Sequence, residues 1–465
     1  MGAFHAYDIR GIYNQDFNKD TVYRIGYFLP ELLQTKAILV GRDDRSSSPE
    51  IREWLTKGIN DAGADVYDMG LSTTPMVYFT TANRGFKASV QITASHNPAE
   101  YNGLKVSREN ALPVGYDTGL GTLEQWILND RAIVPVPEAE RGKIIEINVR
   151  EEYLTFQRQF LGDLSNLHIA MDISNGMASL FADELFGNHP TYLYKEMDGR
   201  FPNHEPNPLV PENTRDLREC VQREKCDIGV IYDGDADRVM FVDENGRFVS
   251  PDLIIGLLGD FFLQGKGTSE AARSQQANRP TAPVRVLQDI RSSKAIAEYL
   301  QPFDAEVHTW KVGRAFAALK LREIDGLFGG ELAGHYYFKD FFYSDSGIMA
   351  SLIVLDLVAT AKREGKTFSQ LIGAIERYEN SGEINFKLER KREAMDAVRA
   401  HFLEQETPTQ QMDFDGYRVE FPHWWFNIRP SNTEPYLRFL CEADSHELLE
   451  QKIAETRQII ESFNR

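Results

Sequence analysis

Short apolar runs that break into polar loops and are followed by helical periodicity recur along this chain, and that alternation restricts it to α/β architecture. Ala37-Ile38-Leu39-Val40-Gly41 opens into the loop Arg42-Asp43-Asp44-Arg45-Ser46, and a helical pattern follows from Pro49. Leu167-His168-Ile169-Ala170-Met171-Asp172 and Asp227-Ile228-Gly229-Val230-Ile231-Tyr232 have the same character. Three α/β units are therefore expected, near residues 1–150, 151–250 and 251–370. Beyond about 370 the texture changes to strand-like segments at 417–421 and 436–441, followed by a closing helix. That helix is expected to begin at Asp444, with Glu447 completing a capping box and Leu448, Leu449, Ile453 and Ile460 at helical spacing. A small α+β unit over 371–465 follows. The segment 265–283, rich in Gly, Ser, Gln, Ala and Pro, is expected to be a mobile surface insertion without a function of its own.

Composition narrows the function class. A length of 465 residues suits about three or four domains, each able to bury a core. With 51 Lys plus Arg against 70 Asp plus Glu, the net charge of -19 argues against a nucleic-acid partner. An anionic substrate would need a locally basic cleft. Cys220, Cys226 and Cys441 are too few and too scattered for a disulfide framework or a zinc knot, and fit ordinary core positions in a reducing compartment. The first residues, Met1-Gly2-Ala3-Phe4-His5-Ala6, lack the Ser or Thr of a myristoylation signal, and no basic stretch precedes an apolar run. The apolar stretch 348–359 is too short to span a bilayer and carries Ser351 and Asp356. A cytoplasmic location without membrane partners is expected.

Three loops carry chemistry. Asp233, Asp235 and Asp237 alternate directly after an apolar strand, so one loop can aim three carboxylates at a point, and oxygen-only ligands select a hard cation such as magnesium. A calcium loop is the structural rival, with Asp at its first, third and fifth positions and Glu244 at its twelfth. Arg238, however, occupies the place where that loop needs Gly, and a strand pattern precedes it. Ser95 lies in Thr93-Ala94-Ser95-His96-Asn97-Pro98, ten positions before Lys105; alone, such a segment is a turn or a helix cap. Arg429-Pro430-Ser431-Asn432-Thr433 gathers a guanidinium, two hydroxyls, an amide and backbone N–H groups into what reads as one tight turn, suited to a phosphate dianion.

Together with Gly330-Glu331-Leu332-Ala333-Gly334-His335, these loops in this order resemble the α-D-phosphohexomutase family, in its phosphomannomutase/phosphoglucomutase branch. The resemblance implies three similar α/β domains with mixed sheets around a central cleft, plus a smaller α+β C-terminal domain, each giving one loop to the cleft. It implies interconversion of hexose 1-phosphate and hexose 6-phosphate, with mannose, glucose or both as the sugar. The route is a phosphoserine enzyme and a hexose 1,6-bisphosphate, with Mg2+ as cofactor and the bisphosphate as activator.

By the same resemblance Ser95 is the nucleophile and, once phosphorylated, a metal ligand beside Asp233, Asp235 and Asp237. Lys105 is the general acid/base, accompanied by Arg10 and His96. Lysine can serve only if neighbouring cations or burial lower its pKa. A surface position for Lys105, and a structural Arg10–Asp8 ion pair, remain open alternatives. Substrate contacts fall to Arg238 and to Lys311, Gly313 and Arg314 in one loop. Glu331, Ala333 and His335 would read ring hydroxyls, and Arg429, Ser431, Asn432 and Thr433, backed by Arg438, would hold phosphate.

Two departures stand out: Ala333 replaces the usual Ser, and Ala236 a frequent Gly, a change expected to be absorbed without backbone strain. Ser431-Asn432-Thr433, where phosphoglucosamine mutases usually have Ser-Gly-Thr, tilts against that branch. The alternatives are a phosphoglucosamine mutase, or a metal-dependent phosphatase that uses the same serine and hydrolyses the intermediate.

Overall fold

The computed structural model describes residues 2–278, 283–431 and 436–464. The first sheet has six strands in the order Ile9–Ile12, Tyr101–Arg108, Ala88–Ile92, Ala37–Arg42, Asp65–Leu71, Ile144–Glu146. From Ala88–Ile92 outward the pairing is parallel, and toward Tyr101–Arg108 and Ile9–Ile12 it is antiparallel. A five-stranded sheet follows, ordered Phe248–Val249, Val239–Asp243, Ile228–Tyr232, Ile169–Asp172, Thr191–Leu193. The third, also of five, is ordered Ala305–Trp310, Val284–Asp289, Phe328–Gly330, Tyr336–Phe338, Ser344–Asp345.

All three mixed sheets share one corner. A parallel strand ends, a loop projects from its carboxyl end, and the chain returns as the antiparallel neighbour. Those loops join Ile92 to Tyr101, Tyr232 to Val239 and Gly330 to Tyr336, so they contain Ser95, the three aspartates, and Glu331 with His335. The strands feeding the first two loops are buried at every position: Ile228–Tyr232 is apolar in character, as burial on both faces demands, whereas Ala88–Ile92 buries Ser89 and Gln91 against Thr81 and Ser72.

The second and third sheets share one apolar core around the helix Leu253–Phe262, whose every residue is buried, and Gly347–Arg363, which absorbs the apolar run 348–359. The fourth sheet is antiparallel, in the order Glu379–Asn380, Tyr436–Ala443, Trp424–Pro430, Tyr417–Glu420, Gln410–Met412, with Ile384–Lys387 also on Tyr436–Ala443. Helices Lys391–Gln405 and His446–Glu461 cover it. Several hydrogen bonds join it to the third unit. Arg418 Nη1 donates to the carbonyls of Ile290 and Ser292 at 3.0 and 2.6 Å, and Ser293 Oγ donates to Glu442 Oε2 at 2.8 Å. On the cleft side the Val312 amide donates to Asp415 Oδ2 at 2.9 Å, while Tyr7 OH donates to the Val312 carbonyl at 3.1 Å. The loop around Val312 is thus held between the first and fourth sheets.

Several local expectations change. Within the segment 265–283, Glu270–Ala277 is a helix capped by Ser269, whose Oγ accepts from the Ala272 amide at 3.2 Å. Buried Asp356 organises it, accepting from the Thr268 and Ser269 amides at 2.8 and 3.0 Å and from Thr268 Oγ1 at 2.7 Å. Residues 279–282 lie outside the described residues. Asp356→Ala would leave those amides without an acceptor, at about 1–3 kcal/mol each. Hydrogen exchange across Glu270–Ala277 is expected to accelerate by about tenfold or more; unchanged exchange would contradict this anchoring.

The closing helix starts one residue late, because Ser445 caps it through Leu448 N at 3.3 Å while Asp444 Oδ2 pairs with His423 Nδ1 at 2.7 Å. Arg429 belongs to the strand Trp424–Pro430 and not to a tight turn, since Pro430 at the strand's end needs no ladder donor. The three cysteines are buried. No helix among the described residues is long and apolar enough to cross a membrane.

Candidate active site

Ser95 is 1 % exposed and adopts φ = +52°, a left-handed conformation held by its own amide donating to Thr93 Oγ1 at 2.9 Å. Its Oγ donates to Asp233 Oδ2 at 2.7 Å, so the first and second corner loops meet at the serine hydroxyl. Gly234 permits the approach: a Cβ there would sit 2.5 Å from the Ser95 carbonyl oxygen. Asp233, Asp235 and Asp237 are fully buried and offer one oxygen each within 4.8 Å of one another. Oδ1 of Asp235 and of Asp237 is buried without a hydrogen-bond partner among the described residues. Hard, converging and unpartnered oxygens fit a divalent cation. Thr74, at the start of the helix Thr74–Asn83, orients Asp235 by donating its amide to the carbonyl at 3.1 Å and its Oγ1 to Oδ2 at 2.5 Å. Ala236 sits at φ = +61°, so the Gly-to-Ala departure does fall on a left-handed position that an L side chain adopts at a cost.

Lys105 reaches Asp235 Oδ2 at 2.7 Å and Asp237 Oδ2 at 2.5 Å, and is no surface lysine. The expected depression of its pKa is not found. Burial favours deprotonation, but Asp235 and Asp237 outweigh it, and the ammonium is held above the ordinary lysine range. Burial and then Asp235 and Asp237 push the Asp233 carboxyl well up. Asp237 is held low because Lys105 and His335 overcome its burial. Arg10 pairs with Asp8, the structural alternative, and also donates from Nη1 to Asn97 Oδ1 at 2.7 Å, which places its charge at the serine loop. His96 Nδ1 lies 3.4 Å from Ser95 Oγ, and burial followed by Arg238 and Arg10 keeps its imidazole neutral.

The third corner loop docks on the second through an Arg238–His335 bridge and a Val239 amide bond to the Gly334 carbonyl at 3.3 Å. His335 Nδ1 lies 2.7 Å from Asp345 Oδ2 and 3.7 Å from Asp237 Oδ1. Arg238 Nε is 3.9 Å from Asp233 Oδ2. Arg314 donates from Nε to Asp345 Oδ1 at 2.9 Å and lies over the Tyr78 ring at 3.6 Å. Glu331 is buried and accepts from Tyr337 OH at 2.7 Å, and Ala333 is half-buried. Lys311 Nζ lies 5.3 Å over the Phe316 ring. Gly313, at φ = +118°, leaves room for Tyr7, whose Cζ would be 2.8 Å from a Cβ there.

A second cationic group stands apart from the aspartates. Arg429, 5 % exposed, lies directly opposite Arg438 in the fourth sheet, and its Nε is buried with no hydrogen-bond partner among the described residues. Arg438 Nη1 pairs with Glu383 Oε1 at 3.0 Å. Burial, and then Arg291, lower the Arg429 pKa, so its charge is poorly compensated and the place suits an anion. Arg291 also influences Glu331, which links the two groups electrostatically. The Ser431 amide donates to the Tyr436 carbonyl at 2.9 Å, whereas Asn432 and Thr433 lie outside the described residues.

Family models for phosphoglucomutase/phosphomannomutase match in succession: alpha/beta/alpha domains I, II and III at residues 1–129, 152–246 and 267–378, and the C-terminal domain at 383–459. The chain belongs to the phosphoglucomutase/phosphomannomutase family. It is 35% identical over 454 residues to a phosphomannomutase of Escherichia coli K12, covering 95% of each chain. It is also 35% identical over 448 residues to a protein of Xanthomonas campestris pv. campestris named phosphohexose mutases, again covering 95% of both. The crystal structure of a phosphoglucomutase/phosphomannomutase family protein from Burkholderia thailandensis aligns with TM-score 0.83 at 26% identity, over 100% of this chain and 98% of that one.

The four-part α/β architecture and a hexose-phosphate mutase activity follow, and phosphoglucosamine mutase is not better supported. The family acts on sugar phosphates and depends on a metal, and the aspartate cluster could bind one. Asp345, Thr74, Tyr7 and Arg291 were not singled out in the sequence. Each acts across a long separation or through another side chain, and only Asp345, in the acidic-aromatic run after His335, left a local trace.

Proposed function

We propose that this phosphohexomutase interconverts the 1- and 6-phosphates of mannose and glucose through phospho-Ser95 and a hexose 1,6-bisphosphate, with magnesium at the aspartate loop. The observation that carries this reading is the meeting of Ser95 Oγ, Asp233 and, through Asp235 and Asp237, Lys105 Nζ at one buried point. Bound by Asp233, Asp235, Asp237 and the phosphorylated serine, Mg2+ would polarise the phosphoryl group and offset charge on its oxygens.

The chain's own residues account for the remaining requirements. Ser95 passes its phosphoryl group to the free hydroxyl of the sugar monophosphate, and Lys105 Nζ would exchange the proton of the attacking and leaving oxygen. Because Asp235 and Asp237 hold its ammonium protonated, that role requires a divalent ion to take up those carboxylates and weaken their hold. Neutral His96 and cationic Arg10 flank the serine, and Arg238 and Arg314 add positive charge within a strongly acidic protein. Arg429, backed by Arg438 and followed by Ser431, Asn432 and Thr433, holds whichever phosphate is not reacting. The bisphosphate must turn over between the two places, so the cationic site has to accept either end of the sugar. Burial of Ser95 limits the access of water to a phosphoryl group there, which favours a mutase over a phosphatase.

The test supplies mannose 1-phosphate and glucose 1-phosphate separately, each with a catalytic amount of its 1,6-bisphosphate. Both 6-phosphates are expected to form without matching release of inorganic phosphate. Stoichiometric phosphate release would favour the phosphatase. In the sugar loop, Ala333→Ser restores a hydroxyl between Glu331 and His335. It is expected to strengthen transition-state binding by about 0.5–1.5 kcal/mol, several-fold in kcat/KM. Equal gains on both sugars would indicate a contact away from C2, where mannose and glucose differ. No gain on either would show that position 333 does not face the sugar.

A further inference from the structure

Arg45 is fully buried, yet it neither touches the aspartates nor forms part of the phosphate group. All five of its side-chain N–H donors are used. Nη2 donates to the carbonyls of Ser95 and Asn97 at 2.8 and 2.7 Å, Nη1 to those of Pro98 and Tyr101 at 2.6 and 3.0 Å, and Nε to Asp43 Oδ2 at 3.1 Å. Four of the five acceptors are therefore backbone oxygens of the serine loop or the residue that closes it, held by a planar fork that no other side chain supplies.

The fork is itself fixed from both sides. Asp43 accepts from the Arg45 amide at 3.1 Å and from Ser48 Oγ at 2.5 Å, and its own amide is bound to the Ile92 carbonyl at 2.9 Å, at the end of the strand that feeds the loop. From the second unit, the Phe201 ring lies 4.9 Å from the guanidinium carbon, and Gly199 is packed so closely that a Cβ would be 2.3 Å from the Asp44 carbonyl oxygen. The loop needs such support, because Ser95 occupies a left-handed conformation and must meet Asp233 to within a hydrogen bond.

We infer that Arg45 is a positioning residue for phosphoryl transfer, holding the Ser95 loop by its carbonyls so that Oγ faces the aspartate loop, without contacting the sugar phosphate. The inference rests on the phosphoserine reading above. A displacement of about 1 Å at a reacting atom costs up to about a hundredfold in rate, so the effect belongs in kcat and not in KM.

The experiment compares wild type, Arg45→Lys and Asp43→Asn. Each is checked for cooperative unfolding, then assayed for steady-state mutase kinetics and for single-turnover phosphorylation of Ser95 by hexose 1,6-bisphosphate. Wild type that never carries phosphate on Ser95 would sink the phosphoserine reading itself. Given phosphorylated wild type, Arg45→Lys is expected to lose about 10- to 100-fold in kcat and in the rate of Ser95 phosphorylation, with KM within about twofold. Asp43→Asn, which keeps the guanidinium but weakens its anchor, is expected to show the same pattern at several-fold, and decides the matter if Arg45→Lys does not fold. Undiminished phosphorylation in the folded variants, or a rise in KM matching the fall in kcat, would overturn the assignment.

Discussion

Ser95→Ala is expected to abolish mutase turnover by on the order of 10⁴-fold or more, because the nucleophile belongs to a set that acts as a unit and nothing substitutes for it. Ser95 Oγ is buried against Asp233 Oδ2, and of the neighbouring hydroxyls Thr93 Oγ1 is already engaged by the Ser95 amide. The alanine removes one oxygen from a loop otherwise fixed by its backbone carbonyls, so the fold should persist. Binding of hexose phosphate, measured by calorimetry on the variant, should survive. A variant retaining activity within tenfold of wild type would mean that another group carries the phosphoryl.

Asp235→Asn is expected to give the second-largest loss. The amide keeps the shape but removes a negative charge from a cluster in which Oδ1 of Asp235 and Oδ1 of Asp237 have no hydrogen-bond partner among the described residues. The remaining carboxylates bind a divalent ion less tightly. Turnover is expected to fall on the order of 10²-fold or more, with a higher magnesium requirement. Arg429 and Arg438 lie on another sheet, so affinity for inorganic phosphate there should be unchanged. Magnesium titration of turnover, paired with phosphate binding, separates the two sites. Full activity of Asp235→Asn at low magnesium would remove the aspartate loop from the metal site.

The parts of the site that are contiguous in sequence were legible in it. Three alternating aspartates after an apolar strand, and a serine in a short polar loop, are patterns whose geometry is local. The recurring corner, a parallel strand with its antiparallel return, was visible only in part: the apolar run 227–232 announced one of its three feeding strands, Ala88–Ile92 with its buried Ser89 and Gln91 and the short Phe328–Gly330 left no such run, and nothing local announces which neighbour a strand pairs with. Residues that act over long separations were hidden for the same reason. Arg45 lies fifty positions before Ser95, and Tyr7 meets Val312 only because the first and third units face each other.

Composition misled within 265–283, where Glu270–Ala277 forms a helix whose lead-in residues Thr268 and Ser269 are held through their amides by one buried carboxylate, Asp356. Lys105 reaches the same aspartate loop that Ser95 meets, but its ionisation depends on two aspartates 130 and 132 residues away. Spacing along the chain carries no information about that field.

The most direct measurement of the central claim follows a labelled phosphoryl group. Wild-type protein is incubated with hexose 1,6-bisphosphate carrying labelled phosphate, and peptides are mapped before and after a chase with unlabelled hexose monophosphate. The label is expected on the peptide containing Ser95 and is expected to leave it during the chase, reappearing on the sugar at the rate of turnover. Label on a different residue, or label on Ser95 that the sugar cannot remove, would contradict the mechanism.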